Sequence, residues 1–576
     1  MIAGVLVPLL LLASPVQQSP DSLDAFIRAQ IAQRKVPGLS IAVIDHGHVV
    51  LARGYGVTSP GGTTPVTPTT SFLAGSVSKS VAALGALRLV ETGALSLDGD
   101  VNERLTTWKV PENAFTASEK VTLRRILSHT AGLTVHGFGG YAVDEPVPTL
   151  PQVLDGATPA NSQPVRVDTT PGSGWRYSGG GYTVMQQLMN DVTGLGFEQW
   201  MAQHVLAPLG MTRSSFRQPP DGDIGAGAAS GQYSAASPVP GRWHLYPEMA
   251  AAGLWTNPTD LAQFVMGVQA SYAGRATPVI SQAMTRRMLT IERDGDGLGV
   301  FIDTTGGRLL FSHGGRDDGF DTFMEGDAVS GRGIVMMINA NDNSNMMRRI
   351  REFVARQYGW AGTTPLYAVA PVMMPHARVA SLAGRYEVAS NQMLTLVPEQ
   401  GRLVSLVDGL PDRVFVPTSA WGVTSDDGER RFLFVHDGHG RVTGFSRDID
   451  GTQRVAPRIG PLLDSATPGR DPDPARTAKV TAALRTLAAD RNGIQASPLL
   501  TTGAKADFGG SETVLAGFEG LTFLSHESVA GRGIERHRGI VTDVLAYRLN
   551  GSTKGRFVLV HLTSGGLVTD YDVVNE

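Results

Sequence analysis

The stretch "AGSVSKS", Ala74 to Ser80, runs straight into "VAALGALRLVET", Val81 to Thr92, and its reading decides what fold surrounds it. From Val77 to Thr92 the chain is apolar on most helical faces and is followed by Gly93, which predicts a buried central helix with a glycine stop. Ser76 and Lys79 stand three residues apart at its start and share one helical face. Two readings compete. In one, Ser76 is an N-cap and Lys79 a solvated first-turn residue. In the other, the pair is a nucleophile and its base. A helix N-terminus favours a developing oxyanion, and burial strips a lysine of its charge. The spacing alone favours the cap.

Upstream, Asp24 to Arg34 reads as a helix, and "LSIAVID" and "HVVLARGYG" read as a buried antiparallel hairpin around His46-Gly47. Downstream, "VTLRRILSHTAG", "GYTVMQQLMNDVTG" and "PTDLAQFVMGVQ" are helical. "LGVFID", "RLLFSHGG" and "RGIVMMINAN" follow as strands, and "SNMMRRIREFVARQYG" as a last helix. Strands at both ends with helices between predict one α/β (α+β) domain over residues 21–362, an antiparallel sheet flanked by helices. A Pro/Ala-rich bridge, 363–378, leads to a small all-β module of short strands and Gly/Asp turns, 379–462. A second bridge, 463–476, precedes a C-terminal α+β module, 477–576.

The composition is globular, 42% hydrophobic and 18% charged over 576 residues. A net charge of −4 without a long Lys/Arg block argues against nucleic acid and anionic membrane as partners. The absence of cysteine removes disulfides, thiolate nucleophiles, Cys–zinc sites and lipidation at Cys. Ile2 to Ala13 has the length of a signal-peptide apolar region and is too short to span a bilayer, although a basic start and a clean A-x-A site are lacking. Residues 1–20 are therefore expected to be a signal peptide and the destination secreted or periplasmic, with membrane contact only if the segment stays uncleaved.

Two further segments bear on Ser76. "PGSGWRYSGGGYTVMQQ" puts Tyr177 in a Gly-rich loop ahead of a helix, where a phenol can enter a cleft or simply staple the loop. In "FSHGGRDDGF", His313-Gly314-Gly315 ends a strand. Two glycines there let a ligand approach the backbone and the Arg316 N–H face a substrate oxygen; the plainer reading is a strand-ending turn with an exposed histidine. In this order, S-x-x-K, the Tyr loop and His-Gly-Gly resemble the serine β-lactamase and penicillin-binding-protein superfamily, and more closely its class C branch of esterases, D-stereospecific peptidases and D,D-carboxypeptidases. The resemblance runs from about Asp24 to Gly362 and takes in "VTLRRILSHTAGL", "LAPLGMTRSSF" and "AAGLWTNPTDLAQF".

The resemblance implies a β-lactamase-like domain in which Ser76 is acylated, Lys79 takes its proton and Tyr177 is partner base or proton relay. His313 would stand where many relatives carry lysine, helping to hold charge near the phenol. Backbone N–H groups of Ser76 and Arg316 would form the oxyanion hole, with Gly314, Gly315 and Ser178 in the substrate cleft. No metal and no cofactor are implied. The substrate would be a small ester, a D-amino-acid peptide or a peptidoglycan-like amide, with β-lactams as acylating agents. Relatives usually carry Tyr-x-Asn; Tyr177-Ser178-Gly179 lacks the Asn, which leaves room for ester or other acyl substrates and for Ser178 or a water to replace part of it. The rival reading is a binding or sensor protein that uses this fold without turnover.

Other residues read more plainly. His129 in "LSHTAG" is a structural loop histidine, and His136, Tyr141 and "GFGGY" line or cover the cleft. Asp317-Asp318 is a solvated turn rather than a selector of a cationic group, and His436 with His439 marks an exposed hairpin rather than a metal site. The first C-terminal module, opening "LAGRYEV", is similar to small β-barrels appended to this branch. Either module would shape the cleft, mediate oligomerisation or bind a cell-wall component.

Overall fold

Strand β1 (Gly38–Asp45) is buried along nearly its whole length. Its side chains alternate between two cores: Ala42 and Ile44 enter one, Leu39, Ile41 and Val43 the other. That is why the strand reads as an unbroken aliphatic run. Its hairpin partner β2 (His48–Gly56) differs. It is the edge of the sheet, and Tyr55 is its one buried residue, so the expected burial holds for the first strand only. Strands β3 (Phe301–Asp303), β4 (Leu310–Asp317), β5 (Phe320–Asp327) and β6 (Gly333–Ile338) complete an antiparallel sheet in the order β2-β1-β6-β5-β4-β3. The pairing of Leu39 with Ile338 joins the start of the domain to its end.

Helices cover both faces. On one, α1 (Pro20–Gln33) packs beside the Met346–Gln357 helix, with Phe26 stacked on Phe353 at 4.5 Å. The opposite face meets the Pro258–Tyr272 helix and the larger core. At the heart of that core lies α2 (Val77–Glu91), of whose fifteen residues twelve are buried. A helix surrounded on most sides needs apolar residues on most sides, and this one has them.

This computed structural model describes residues 20–574 except 234–236, 276–278, 364–365, 390–391, 408, 450–451, 464–467, 469, 490–493, 495, 508–514, 516, 538 and 552–556. The expected signal peptide lies, but for its last residue, outside the described residues. Among them, no helix is long and apolar enough to cross a membrane. The chain divides into two compact units, Met1–Thr363, just described, and Thr364–Glu576.

The second unit begins with a closed barrel of eight antiparallel strands, from Gly384–Ala389 to Thr452–Gly460. Stacked rings fill it, Phe415 on Phe432 at 4.6 Å and Phe432 on Phe445 at 4.1 Å. A four-stranded antiparallel sheet follows, one face covered by the Pro474–Ala489 helix and the other sharing a core with Ile459 and Leu463. Arg536, fully buried, pairs with Glu387 of the barrel at 2.8 Å and with Asp570 at 2.8 Å. His436 lies in its hairpin with its ring 4.2 Å from Trp421. No group of three or more His, Asp or Glu suited to a metal ion occurs among the described residues.

Candidate active site

Ser76 does not cap its helix. Its backbone is already helical (φ −64°, ψ −10°), and its side chain bonds no backbone N–H. A 3₁₀ turn starting at Ala74 satisfies the first donors instead, with Val77 N donating to Ala74 O and Ser78 N to Gly75 O. The hydroxyl is left for Lys79, whose Nζ donates to Ser76 Oγ at 2.9 Å and to Ala251 O at 2.7 Å. Ala251 belongs to the short Met249–Ala252 helix, which Gln186 clasps through Pro247 O and Ala250 N. Lys79 is 1% exposed. Burial pushes its ammonium down to about 7, against a smaller opposing pull from Asp317. A base that is half neutral near pH 7 therefore points at the serine.

Tyr177 ends the Gly-rich loop just before α3 (Gly179–Thr193). Its ring lies 5.0 Å from Lys79 Nζ. Burial raises the phenol above its ordinary range, and a hydrogen bond with Ser76 partly offsets the rise. The group is a proton donor or relay at neutral pH, not a standing phenolate. His313 lies on β4 with its ring 6.2 Å from that of Tyr177 and 5.1 Å from Phe301. Burial and then Lys79 push it down to about 3. Its imidazole is neutral in any working range, so the expected help in holding charge near the phenol is not a positive charge.

The glycines of both motifs have a steric reason. A Cβ on Gly315 would lie 1.9 Å from Ala74 O and 3.1 Å from Ser76 N; one on Gly75, at φ +52°, would lie 2.4 Å from Arg316 N. Backbone therefore meets backbone where Gly75 and Gly315 adjoin, beside the Ser76 and Arg316 amides. The Arg316 side chain turns away to Asp321 and Asn343. Ser76, Lys79, Tyr177, His313, Gly314, Gly315 and Arg316 line one cleft of about 660 Å³.

Three expectations change. Ser178, expected in the cleft, is 4% exposed and is the N-cap of α3, accepting Gly181 N at 2.9 Å and donating to Thr134 O at 2.8 Å. It replaces nothing of the missing amide. Asp317, read as part of a solvated turn, is 3% exposed, and its Oδ2 accepts Gly75 N at 3.2 Å. The turn is the next pair, Asp318-Gly319, since Asp317 still pairs with Phe320. At Gly179 a Cβ would lie 3.0 Å from His136 O and 3.2 Å from the Phe138 ring, so a side chain there would crowd the His136–Phe138 segment, which would have to give by a few tenths of an ångström. His136 and Phe138 line the cleft, as expected of that segment.

Sequence reasoning missed Ala251, since a carbonyl leaves no residue-type signal; the "AAGLW" segment was visible only as a familiar stretch. It also missed how His129 meets Tyr177: the two rings lie 4.2 Å apart.

A Beta-lactamase family model matches residues 23–358. "Protein flp" of Staphylococcus aureus (strain N315) is 24% identical over 326 residues, 56% of this chain and 64% of that protein, so the chain spans under two thirds of that relative's length. Among solved structures, the octameric penicillin-binding protein homologue from Pyrococcus abyssi shares the fold with a TM-score of 0.53 at 22% identity, covering 77% of this chain and 99% of that one.

Proposed function

Because the chain belongs to the Beta-lactamase family, we propose that it is a serine hydrolase that works through an acyl-enzyme on Ser76, with Lys79 and Tyr177 as acid–base groups. The observation that carries this is Lys79. It is buried, depressed to about 7, and within 2.9 Å of Ser76 Oγ. Neutral Lys79 takes the hydroxyl proton as Oγ attacks the substrate carbonyl, and the new oxyanion is met by the Ser76 and Arg316 N–H groups. As the carbonyl re-forms, the leaving group departs with a proton delivered from Lys79 through the Tyr177 hydroxyl. Water then attacks the acyl-enzyme, giving its proton back along the same path and regenerating Ser76.

The substrate class is a small ester, a D-amino-acid peptide or a peptidoglycan-like amide, and the protein is secreted or periplasmic. The missing amide at Gly179 favours the ester, because no such side chain is present there to bind an acyl-side peptide group. A fluorophosphonate probe with mass mapping tests the nucleophile: the adduct is expected on Ser76 and absent from Ser76→Ala. A panel of p-nitrophenyl esters, D-amino-acid amides and a penicillin then tests turnover. An adduct elsewhere overturns the assignment. A lasting adduct with no turnover of any panel member favours the binding reading.

A further inference from the structure

His129 grips the tyrosine loop on both sides of Tyr177. Its carbonyl accepts Arg176 N at 2.8 Å, and its ring Nδ1 accepts Ser178 N at 3.1 Å. Between those anchors its ring lies against the Tyr177 ring, 4.2 Å between centroids and 32° apart in plane. His129 is 3% exposed and sits at φ 55°, a left-handed conformation that a non-glycine residue keeps only when its surroundings hold it there.

We propose that His129 is the positioning residue for Tyr177, fixing the peptide groups on either side of the tyrosine and one face of its ring so that the phenol keeps its place beside Lys79 in the cleft. The role rests on the proposed acyl-enzyme reading. Nδ1 acts as an acceptor, so the ring proton sits on Nε2. Burial, with Lys79, His313 and His136 adding to it, holds the imidazole well below its ordinary range, which keeps Nδ1 free to accept. Ser178 precedes the helical bonds of α3, and its N–H takes the imidazole nitrogen as its partner. Without the ring that donor is buried unpaired, one face of the phenol is bare, and a displacement of the phenol by about 1 Å costs on the order of 100-fold in rate.

The test uses the full chain and p-nitrophenyl acetate. His129→Ala is expected to lower kcat at least tenfold with KM changed less than threefold. His129→Asn, whose Oδ1 stands as many bonds from the backbone as Nδ1, is expected to recover at least fivefold over His129→Ala. In a Tyr177→Phe background, His129→Ala is expected to cost less than twofold, because it acts through the hydroxyl that is already gone. An equal loss in both backgrounds, a loss in KM alone, or no recovery with Asn overturns the positioning role. If His129→Ala does not fold, His129→Asn against His129→Phe carries the comparison, Asn being expected to exceed Phe. A wild type that forms no Ser76 adduct and turns over no ester sinks the acyl-enzyme reading, and this role with it. A wild type that turns over while the variants match it sinks this role alone.

Discussion

Replacing Lys79 by methionine is expected to abolish activity and to stabilise the protein below neutrality. Folding takes the lysine from 10.5 to about 7, which at about 1.4 kcal/mol per pH unit is a cost near 5 kcal/mol whenever the group must be charged. Below pH 7 both states hold the proton, and the folded state bears the whole cost. Between pH 7 and 10.5 the unfolded chain holds the proton and the folded one does not, so wild-type stability climbs with pH. Methionine has no such proton and a similar length. It leaves the Ala251 carbonyl without its donor, at about 1–3 kcal/mol. The variant should therefore be more stable by about 2–4 kcal/mol at pH 6.5, and the gap should shrink by about 2 kcal/mol between pH 7 and 9. Urea denaturation followed by tryptophan fluorescence reads this unit well, since of the 7 tryptophans only Trp421 lies outside it. A gap that is constant with pH, or a variant less stable at pH 6.5, would refute the claim that desolvated charge sets the basicity of Lys79.

The kcat/KM of wild type should rise with pH along a single limb centred near 7, the value of Lys79; a limb near 3 would make His313 the base instead. Gly315→Ala pushes a methyl group to 1.9 Å from Ala74 O and should cost about 10²–10³ in kcat/KM, read with an activated ester, together with about 1–3 kcal/mol of stability, read by denaturation. Gly179→Asn, whose Cβ would lie 3.0 Å from His136 O, should confer no penicillin turnover, measured by lactam absorbance. In the second unit, Glu387→Ala strips one partner from buried Arg536, which keeps Asp570, and should cost about 1–3 kcal/mol, visible in the Trp421 signal of a variant otherwise lacking tryptophan.

Much of the architecture was legible because burial on two faces writes itself into composition. The aliphatic run of β1 and the all-round apolar character of α2 have no other economical reading. The Ser76–Lys79 pair was not legible by itself. A cap and a catalytic dyad put the same residue types at the same spacing, and what separates them is the backbone torsion of Ser76, already helical. Asp317 was misread for a related reason. Two acids and a glycine after a strand look like a turn, but β4 runs two residues past Gly315, and the alternation that turns His313 and Gly315 inward also turns Asp317 inward. The departure at Gly179 was visible as a missing side chain, whereas the groups that crowd its place, the His136 carbonyl and the Phe138 ring, come from some forty residues earlier.

These cases share a cause. The side chains that act are few, and the atoms that aim them are mostly backbone: Ala251 O on Lys79, the Ser76 and Arg316 amides at the oxyanion wall, and His136 O on Gly179 N. A backbone atom can take such a place when its neighbours lack bulk, which is why glycine stands at 75, 179 and 315. His129 is the exception that fits the pattern. Its carbonyl and its ring nitrogen both bind main-chain N–H groups, so it works on Tyr177 by holding the peptide groups beside it. A residue that acts on backbone in this way looks structural in any reading by residue type, and its catalytic consequence appears only when the group it aims is still present to be misplaced.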